Sequence, residues 1–594
     1  MRFLTGVPLR KQNLLPVLLA ILIGLAALAL LVAAVQPYVT LKVLADSLKS
    51  NGNFKSLKAS NVLVFKLLLG FAGMVLLGAA YLVGFRRLKA VGARLGQLWT
   101  DALRFVRALK PVKIEWASAA ALGLIVAVAL IFRLRDINGA MTHDESYTFV
   151  VYASTSIFNI VTNYQLPNNH VLNSLLIFLS TQLFGIRPWV VRLPALLAGL
   201  LMIPASYALA KAIYDKYTAL LSALIVAVLP GAVGYSTSGR GYTLVGLFTL
   251  LTLWLSDYLR REKNLFAWCL LVLFSALGFY AVPVMLFPFG VVFAWLFLEN
   301  LVSPPEPYPS KINFSKYWLI AGLSTALLVL LLYTPIFIYT GADKVFENGW
   351  VRPEAWSGYL ASLPSLARAV WSDWTGGLPP ALSVLAAAGF VLGLIFYRRI
   401  ARQRFPLIGA ALLWMGSLVL IERPQGLTKV WFFLLAPVAI WISAGIMGPL
   451  RDLRLKLPGP VTIAAVVVGM AVVMPLVEAI QIVPDLPKQW ALKGPVENTV
   501  LWVKDRLQPN DLIIIDAPED AQFWYYSHLY GLADSRFNQR LPFQRLFVIV
   551  YRGGQQTMGS VLRDRGPDPA LVNAATARIL LNFGTLDTYL VLHQ

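Results

Sequence analysis

The sequence predicts a mainly α-helical, polytopic membrane protein that ends in a small α/β domain, and three observations predict it. Hydrophobic residues make up 58% and charged residues 13% of the 594, with a mean hydropathy of +0.68, far from the balance of a soluble globular chain. Apolar runs recur between residues 14 and 480, separated by short clusters of Lys and Arg. Beyond residue 480 the pattern changes to helical spacing alternating with short strand-like runs. The net charge of +22 would suit a nucleic-acid binder, but its clustering between apolar runs is what a positive-inside topology produces, so no nucleic-acid partner is expected. The single cysteine, Cys269, excludes an intrachain disulfide and leaves the redox compartment unread.

Arg2, Arg10 and Lys11 precede an apolar run from Leu14 to Val35. The run is long for a signal peptide, lacks a small-residue cleavage site and leads into further spans, so it reads as a retained first helix. A second span covers about 62–84. Arg86, Arg87, Lys89, Arg94, Arg104, Arg107, Lys110 and Lys113 follow, interleaved with Leu88, Val91, Leu95, Leu98, Leu103, Phe105 and Val106, an amphipathic pattern suited to the anionic cytoplasmic leaflet. A third span, about 116–132, crosses outward.

Apolar runs then follow at about 192–210, 217–235, 242–259, 265–281, 283–299, 318–338, 381–397, 406–421, 430–449 and 461–480. If all ten cross, Lys211 and Lys216, Arg260 to Lys263, Lys311 and Lys316, Arg398 to Arg404, and Arg451 to Lys456 fall together on the cytoplasmic side. The run from Val171 to Phe184 is shorter than the ~20 residues a span needs and would invert every later loop, so it is placed as a re-entrant or interfacial helix on the outer face. The expectation is about thirteen spans in the plasma membrane, with the N-terminus inside and the C-terminus outside. Three parts follow: 1–114, a two-helix hairpin with a basic amphipathic segment; 115–480, the main membrane domain; and 481–594, an extracytoplasmic α/β domain. In the last, Val500, Trp502, Val503 and Leu507 mark a helix, Pro509-Asn510-Asp511 a turn and Leu512 to Ile515 a strand, and RLFVIVYRGG repeats the strand-then-turn pattern.

The topology gathers several polar segments on the outer side. Foremost is MTHDESYTFVVYASTSIFNIVTNYQLPNNHVLNS, from Met141 to Ser174, which opens with His143, Asp144 and Glu145 and closes with Asn168, Asn169 and His170. Such side chains are costly to desolvate in so apolar a chain and mark a candidate site, although an acidic loop with a helix N-cap reads the same way. With it lie Ser236 to Tyr242 (STSGRGY), a loop of about 339–380 and Glu422 to Lys429 (ERPQGLTK). The long loop carries Trp350, Trp356, Trp371 and Trp374 with Glu347 and Arg352, suited to covering a substrate or, more plainly, to an aromatic belt.

HDES, NNHVLNSLLIFLSTQLFG, RPWVVRLPALLAG and GRGYTLVGLF together resemble the integral membrane glycosyltransferases of the GT-C fold, more narrowly the bacterial relatives of protein O-mannosyltransferases and of the lipid A aminoarabinose transferase. The resemblance covers roughly 115–480. It implies a seven-span module with an acidic first outer loop against a later large outer loop, here Trp116 to Ile338 ending at 339–380, and a polyprenyl-monophosphate sugar as donor. The family's catalytic acid pair falls on Asp144 and Glu145, with Asp144 matching the general base. Its His-Pro-Pro-Leu stretch matches Asn168-Asn169-His170-Val171 only at the histidine, both prolines being absent.

The chemistry agrees from first principles. Transfer from a lipid phosphate needs a carboxylate to deprotonate the acceptor hydroxyl and cations to hold the leaving phosphate, and no cofactor to carry electrons. Asp144 supplies the first, and Arg240, Arg423 and Lys429 are outer-face cations for the second, unless they only meet lipid headgroups. His170 and Tyr242 join them as donor-binding candidates, Trp350 and Arg352 as the covering loop. A divalent cation, Mg or Mn, would find candidate ligands in Asp144, Glu145 and His170. The acceptor is a glycan, lipid or protein hydroxyl. A lipid or glycan transporter would instead carry polar residues within its spans and broken repeated helices, and an inactive scaffold of the same fold would not depend on Asp144.

Overall fold

The computed structural model describes residues 14–47, 59–81, 83, 88–109, 115–302, 304–346, 353–396, 407–424, 426–452, 462, 469 and 494–594. It is mainly helical, and every apolar run named above coincides with a helix except 461–480, which, apart from 462 and 469, lies outside the described residues together with Glu347, Trp350, Arg352 and the Arg398 to Arg404 cluster. Among the described residues, seven helices are long and apolar enough to cross a bilayer, or eight if the bent pair Lys216–Val228 and Pro230–Ser236 is one span. Leu265–Ala281, Pro380–Ile395 and Leu407–Glu422 are 17, 16 and 16 residues long. The expected thirteen spans therefore require these three, the Ala59–Tyr81 helix and the 461–480 run to cross as well. Val171–Phe184 is a 14-residue helix, as its length in the sequence implied.

The bent pair shows how the chain is steered toward its polar end. Pro230 has no N–H to give Val226, and the helix turns by 59° there. Arg133, fully buried at the end of the Trp116–Asp136 helix, donates to Ala227 O at 2.8 Å and Val226 O at 3.3 Å, so the freed carbonyls are satisfied inside the protein. The short helix after Pro230 then carries the chain into Thr237–Gly241 and the next long helix, Tyr242–Arg261. Gly231 lets the Trp374 backbone come within 2.7 Å of where a Cβ would sit, and Tyr235 Oη donates to Asp373 at 2.9 Å. The Trp356–Thr375 helix of the long loop is thereby packed at this end.

Two separate sets of contacts occupy the two ends of the long helices. One end holds Asp144, Arg192, Arg240 and Lys429. The other pairs Lys216 with Glu115 at 3.2 Å, Arg260 with Glu299 at 3.0 Å and Arg451 with Asp215. At that basic end the amphipathic helix Leu88–Leu109 is anchored by Asp101, whose carboxylate accepts from Leu265 N–H at 2.8 Å, while Leu95, Trp99, Val106 and Leu109 stay exposed.

The C-terminal part is an α/β unit. Its four strands, β1 (Asp511–Ile515), β2 (Arg545–Tyr551), β3 (Val572–Phe583) and β4 (Leu586–His593), lie in the order β1-β2-β4-β3, with β1 parallel to β2 and the other pairs antiparallel. The crossover from β1 to β2 contains the Asp520–Tyr530 helix, which ends at Gly531 in the left-handed region. β1 is buried throughout, as a run covered on both faces must be. Leu512 and Ile514 face one core with Val548 and Val591; Ile513 and Ile515 face the other with Phe523, Phe547 and Ile549. That second core also contains Met141, Phe149, Ala153 and Val191 of the membrane domain, so sheet and acidic loop share one apolar interior.

The basic end is expected to face the cytoplasm. In a Cys269→Ser background, a membrane-impermeant maleimide should label Asp534→Cys from outside intact cells and Arg104→Cys only after permeabilisation; the reverse pattern would invert the topology.

Candidate active site

The acidic loop is shaped first by its own sequence. Thr142-His143-Asp144-Glu145 forms a capping box, with Thr142 N–H donating to Glu145 Oε1 at 2.7 Å at the start of the His143–Tyr147 helix. This turns Glu145 inward. It is fully buried, and Arg192 of the Pro188–Ile213 helix grips it with Nε to Oε2 at 2.9 Å and Nη2 to Oε1 at 2.5 Å. Gly239 N–H donates to Oε2 at 2.8 Å. Arg192 also donates to the carbonyls of Ile137, Gly139 and Ala140 at 2.8–2.9 Å. Glu145, expected beside Asp144 as a catalytic acid, thus has both oxygens engaged in an internal anchor.

Asp144 points the other way. Its side chain is 36% exposed, Oδ2 lies 2.5 Å from Lys429 Nζ, and Oδ1 lies 3.8 Å from His143 Nδ1, an ion-pair rather than a hydrogen-bond distance. Lys429 comes from the short helix Thr428–Leu434 and is itself partly exposed. The adjacent His143 first, then Arg240 and Lys429, hold the Asp144 carboxyl well below the usual range against the opposing effect of burial. Carboxylates at both ring nitrogens, Asp144 and then Asp520, push His143 up to about 9.

Beneath Asp144 lies a buried layer. Arg240 Nη1 donates to Thr148 Oγ1 at 2.6 Å, Asn168 O at 2.8 Å and Asp144 O at 3.4 Å, and its Nη2 lies 3.1 Å from His170 Nε2. Gly241 N–H donates to His170 Nδ1 at 2.9 Å, and Tyr242 meets the imidazole edge-on at 4.9 Å. Burial, then Arg240 and Lys429, keep His170 well below its ordinary value, so it stays neutral. Arg240 Nε is buried without a partner. Asn173 donates to Gly239 O at 2.9 Å, and Asn169 donates to the carbonyls of Ile160 and Asn163, so the NNHVLNS motif stitches together the loops around the acidic segment.

The structure therefore brings together Asp144, Lys429, Arg240, His170 and Tyr242. Arg423, expected with them, stands apart: its guanidinium lies 4.7 Å from the Trp356 ring centroid, with Glu354 N–H donating to its carbonyl at 3.0 Å. Arg192, Thr148 and Asp520 were missed from the sequence. An arginine inside an apolar helix demands a buried partner, so Arg192 carried a usable signal; Asp520, nearly four hundred residues from Asp144, carried none. Among the described residues, no three His, Cys, Asp or Glu side chains gather as metal ligands. Glu145 is saturated, His170 Nδ1 is taken by Gly241 N–H and its Nε2 faces the Arg240 guanidinium, so Asp144, Glu145 and His170 do not fit a divalent ion held by all three.

Comparison with known proteins agrees with the motif reading. Residues 169–310 match the family model described as dolichyl-phosphate-mannose-protein mannosyltransferase. This segment, which carries His170, Arg192, Arg240 and Tyr242, is mannosyltransferase-like, as the GT-C resemblance implied. Solved structures similar to the chain include ArnT from Cupriavidus metallidurans in the apo state, with 12% identity over 80% of this chain and 98% of that one and a TM-score of 0.40. The oligosaccharyltransferase of Archaeoglobus fulgidus, in complex with Zn and sulfate, has 14% identity over 71% and 67% and a TM-score of 0.39. The arabinofuranosyltransferase AftD from Mycobacteria has 15% identity over 81% and 40% and a TM-score of 0.42. No curated protein matches the chain.

Two outcomes follow from the site's electrostatics. Glu145→Gln leaves Arg192 as an uncompensated buried charge and should destabilise the protein by about 3–5 kcal/mol, read as a lower melting temperature in detergent, whereas Asp144→Asn should not. His143, raised from 6.5 to about 9 by Asp144 and Asp520, contributes stability present in full below about pH 6.5 and lost as the pH rises through about 9. Melting temperatures across that range should fall, and His143→Gln should flatten this component of the slope.

Proposed function

We propose that this protein transfers a sugar from a polyprenyl-phosphate donor to an acceptor hydroxyl on the extracytoplasmic side of the membrane, with Asp144 as general base and with inversion at the anomeric carbon. The observation that carries this reading is the Asp144–Lys429 contact above the buried Arg240–His170 layer. It sets a half-exposed carboxylate beside a half-exposed cation in a segment adjoining the mannosyltransferase-like region.

Held by His143, Arg240 and Lys429, Asp144 is a weak base at rest. A donor phosphate entering beside it competes for Lys429, and withdrawal of that ammonium frees Oδ2 and raises its basicity. The acceptor oxygen then attacks the anomeric carbon while its proton passes to Asp144. The bond from that carbon to the phosphate oxygen breaks with its electron pair on the phosphate, whose charge grows from one to two negatives. Lys429 meets that charge directly, and Arg240, with its Nη groups already engaged, acts chiefly through space. Retention by double displacement would need a second carboxylate across the sugar, and Glu145 is turned away into its pair with Arg192. Glu145 is here a positioning residue, and His170 with Tyr242 orders Arg240. Arg423 is left out of the phosphate cradle, and the sugar and acceptor are to be read by mass spectrometry of glycoconjugates from cells with and without the gene.

Asp144→Asn should retain donor binding and lower turnover by roughly 10²–10⁴-fold. Lys429→Ala should weaken binding of undecaprenyl phosphate, with Lys429→Arg restoring it in part. A product that keeps the donor's anomeric configuration, or unchanged binding in Lys429→Ala, would overturn the scheme.

A further inference from the structure

The C-terminal domain touches the acidic loop at its most polar point. Met141 N–H donates to Tyr526 Oη at 2.9 Å, and Gln522 Nε2 donates to Met141 O at 3.0 Å. Two residues on, His143 has Asp520 Oδ1 at 3.5 Å from Nε2 and Asp144 Oδ1 at 3.8 Å from Nδ1. One imidazole therefore stands between two carboxylates, one from each domain. Asp520 is itself fixed, its Oδ1 accepting from Ala521 N–H at 2.8 Å and its Oδ2 lying 3.9 Å from Arg565, which is tied to Asp516 at 2.8 Å. The remaining groups around the ring are Tyr147, stacked at 6.0 Å, and Glu519, which lies close enough to feel the His143 charge.

We propose that Asp520 is a positioning residue for the transfer: through the His143 imidazole it orients Oδ1 of Asp144, so that the catalytic carboxylate is set correctly only with the Asp520 carboxylate in place beside His143. This rests on the reading of Asp144 as the base. A carboxylate 3.5 Å from Nε2 biases the rotation of the imidazole and favours its charged form, so that its Nδ1 edge faces Asp144 Oδ1. Oδ2 is then the oxygen shared between Lys429 and the acceptor proton. Without Asp520 the partly exposed ring is free to turn toward solvent, and Asp144 loses one of the two contacts that set its orientation.

The test uses the full-length protein in detergent with ¹⁵N-labelled histidine, since the chain has only four histidines to resolve. Asp520→Asn should lower the pH at which His143 titrates by on the order of one unit. It should also reduce sugar release from a polyprenyl-phosphate hexose by roughly 10-fold, mainly in kcat, and do so no further in a His143→Gln background. Asp520→Glu should restore much of both, which separates the carboxylate's role from any folding defect. Gln522→Ala removes a docking hydrogen bond but keeps both carboxylates, and should leave titration and turnover near those of the wild type. Unchanged His143 titration in Asp520→Asn, additive losses with His143→Gln, or an equal loss in Gln522→Ala would each overturn the proposal. Coupled titration in a wild-type protein that releases no sugar would instead overturn the transferase reading, and the positioning role with it.

Discussion

The site depends on one buried ion pair. The Arg192 guanidinium, near the start of a 26-residue helix, reaches both oxygens of Glu145 and the carbonyls that follow the Trp116–Asp136 helix. Three chain segments thereby meet at one planar group: the end of one membrane helix, the start of another and the short helix that carries Asp144. Gly239 joins them as the fourth, because its N–H reaches Glu145 and a Cβ there would meet Val191 at 2.9 Å and Glu145 at 3.3 Å. Burying two charges is costly unless every donor and acceptor is used, and here almost all are. The pair's contribution is to specify a geometry: it fixes which of two adjacent carboxylates is locked inside and which is left at the surface.

From that division the rest of the site follows. The capping box sends Glu145 back toward Thr142, so its helical neighbour Asp144 must face away, toward Lys429 and the C-terminal domain. Arg240, set on the turn that Pro230 and Gly241 shape, occupies the volume beneath and is held by Thr148 and Asn168. The shared core of Met141, Phe149 and Val191 with Phe523 and Tyr525 then places Asp520 over His143. A membrane domain and an α/β unit are thus joined by apolar burial and also by a chain of ionisable groups, a more specific coupling than burial alone gives.

Local pattern carried much of this into the sequence. The helices, the short length of Val171–Phe184, β1 and β2, and the gathering of Asp144, His170, Arg240 and Lys429 at one end of the helices all follow from hydropathy, charge sorting and turn residues. The hairpin of β3 and β4 went unread because its strands are only partly buried and present weak alternation, although Gly584 marks the turn. Glu145 and Asp144 were read as a pair because adjacency in sequence does not reveal which way a capping box turns each one. Arg423 looked equivalent to Lys429, yet its backbone sits in the left-handed region and its side chain stacks on Trp356, which no periodicity signals.

The proposed chemistry and the charge inventory of the site fit one another. At rest the cations Lys429, Arg240 and His143 surround the Asp144 carboxylate, while Glu145 and Arg192 cancel each other, so Asp144 faces mainly positive neighbours. In the proposed scheme a phosphodiester donor would bring one negative charge to Lys429 and Arg240. In that scheme the acceptor's proton passes to Asp144, removing one negative charge there just as the departing phosphate gains one. The proposed step would thus leave the total charge around Asp144 unchanged without moving an ion in from solvent, as a preorganised site requires. The same inventory explains why a carboxylate held so acidic at rest is suited to the task. Its basicity is held down chiefly by His143, with Arg240 and Lys429 adding to it, so in the proposed scheme a phosphate that draws Lys429 away would lift part of that restraint.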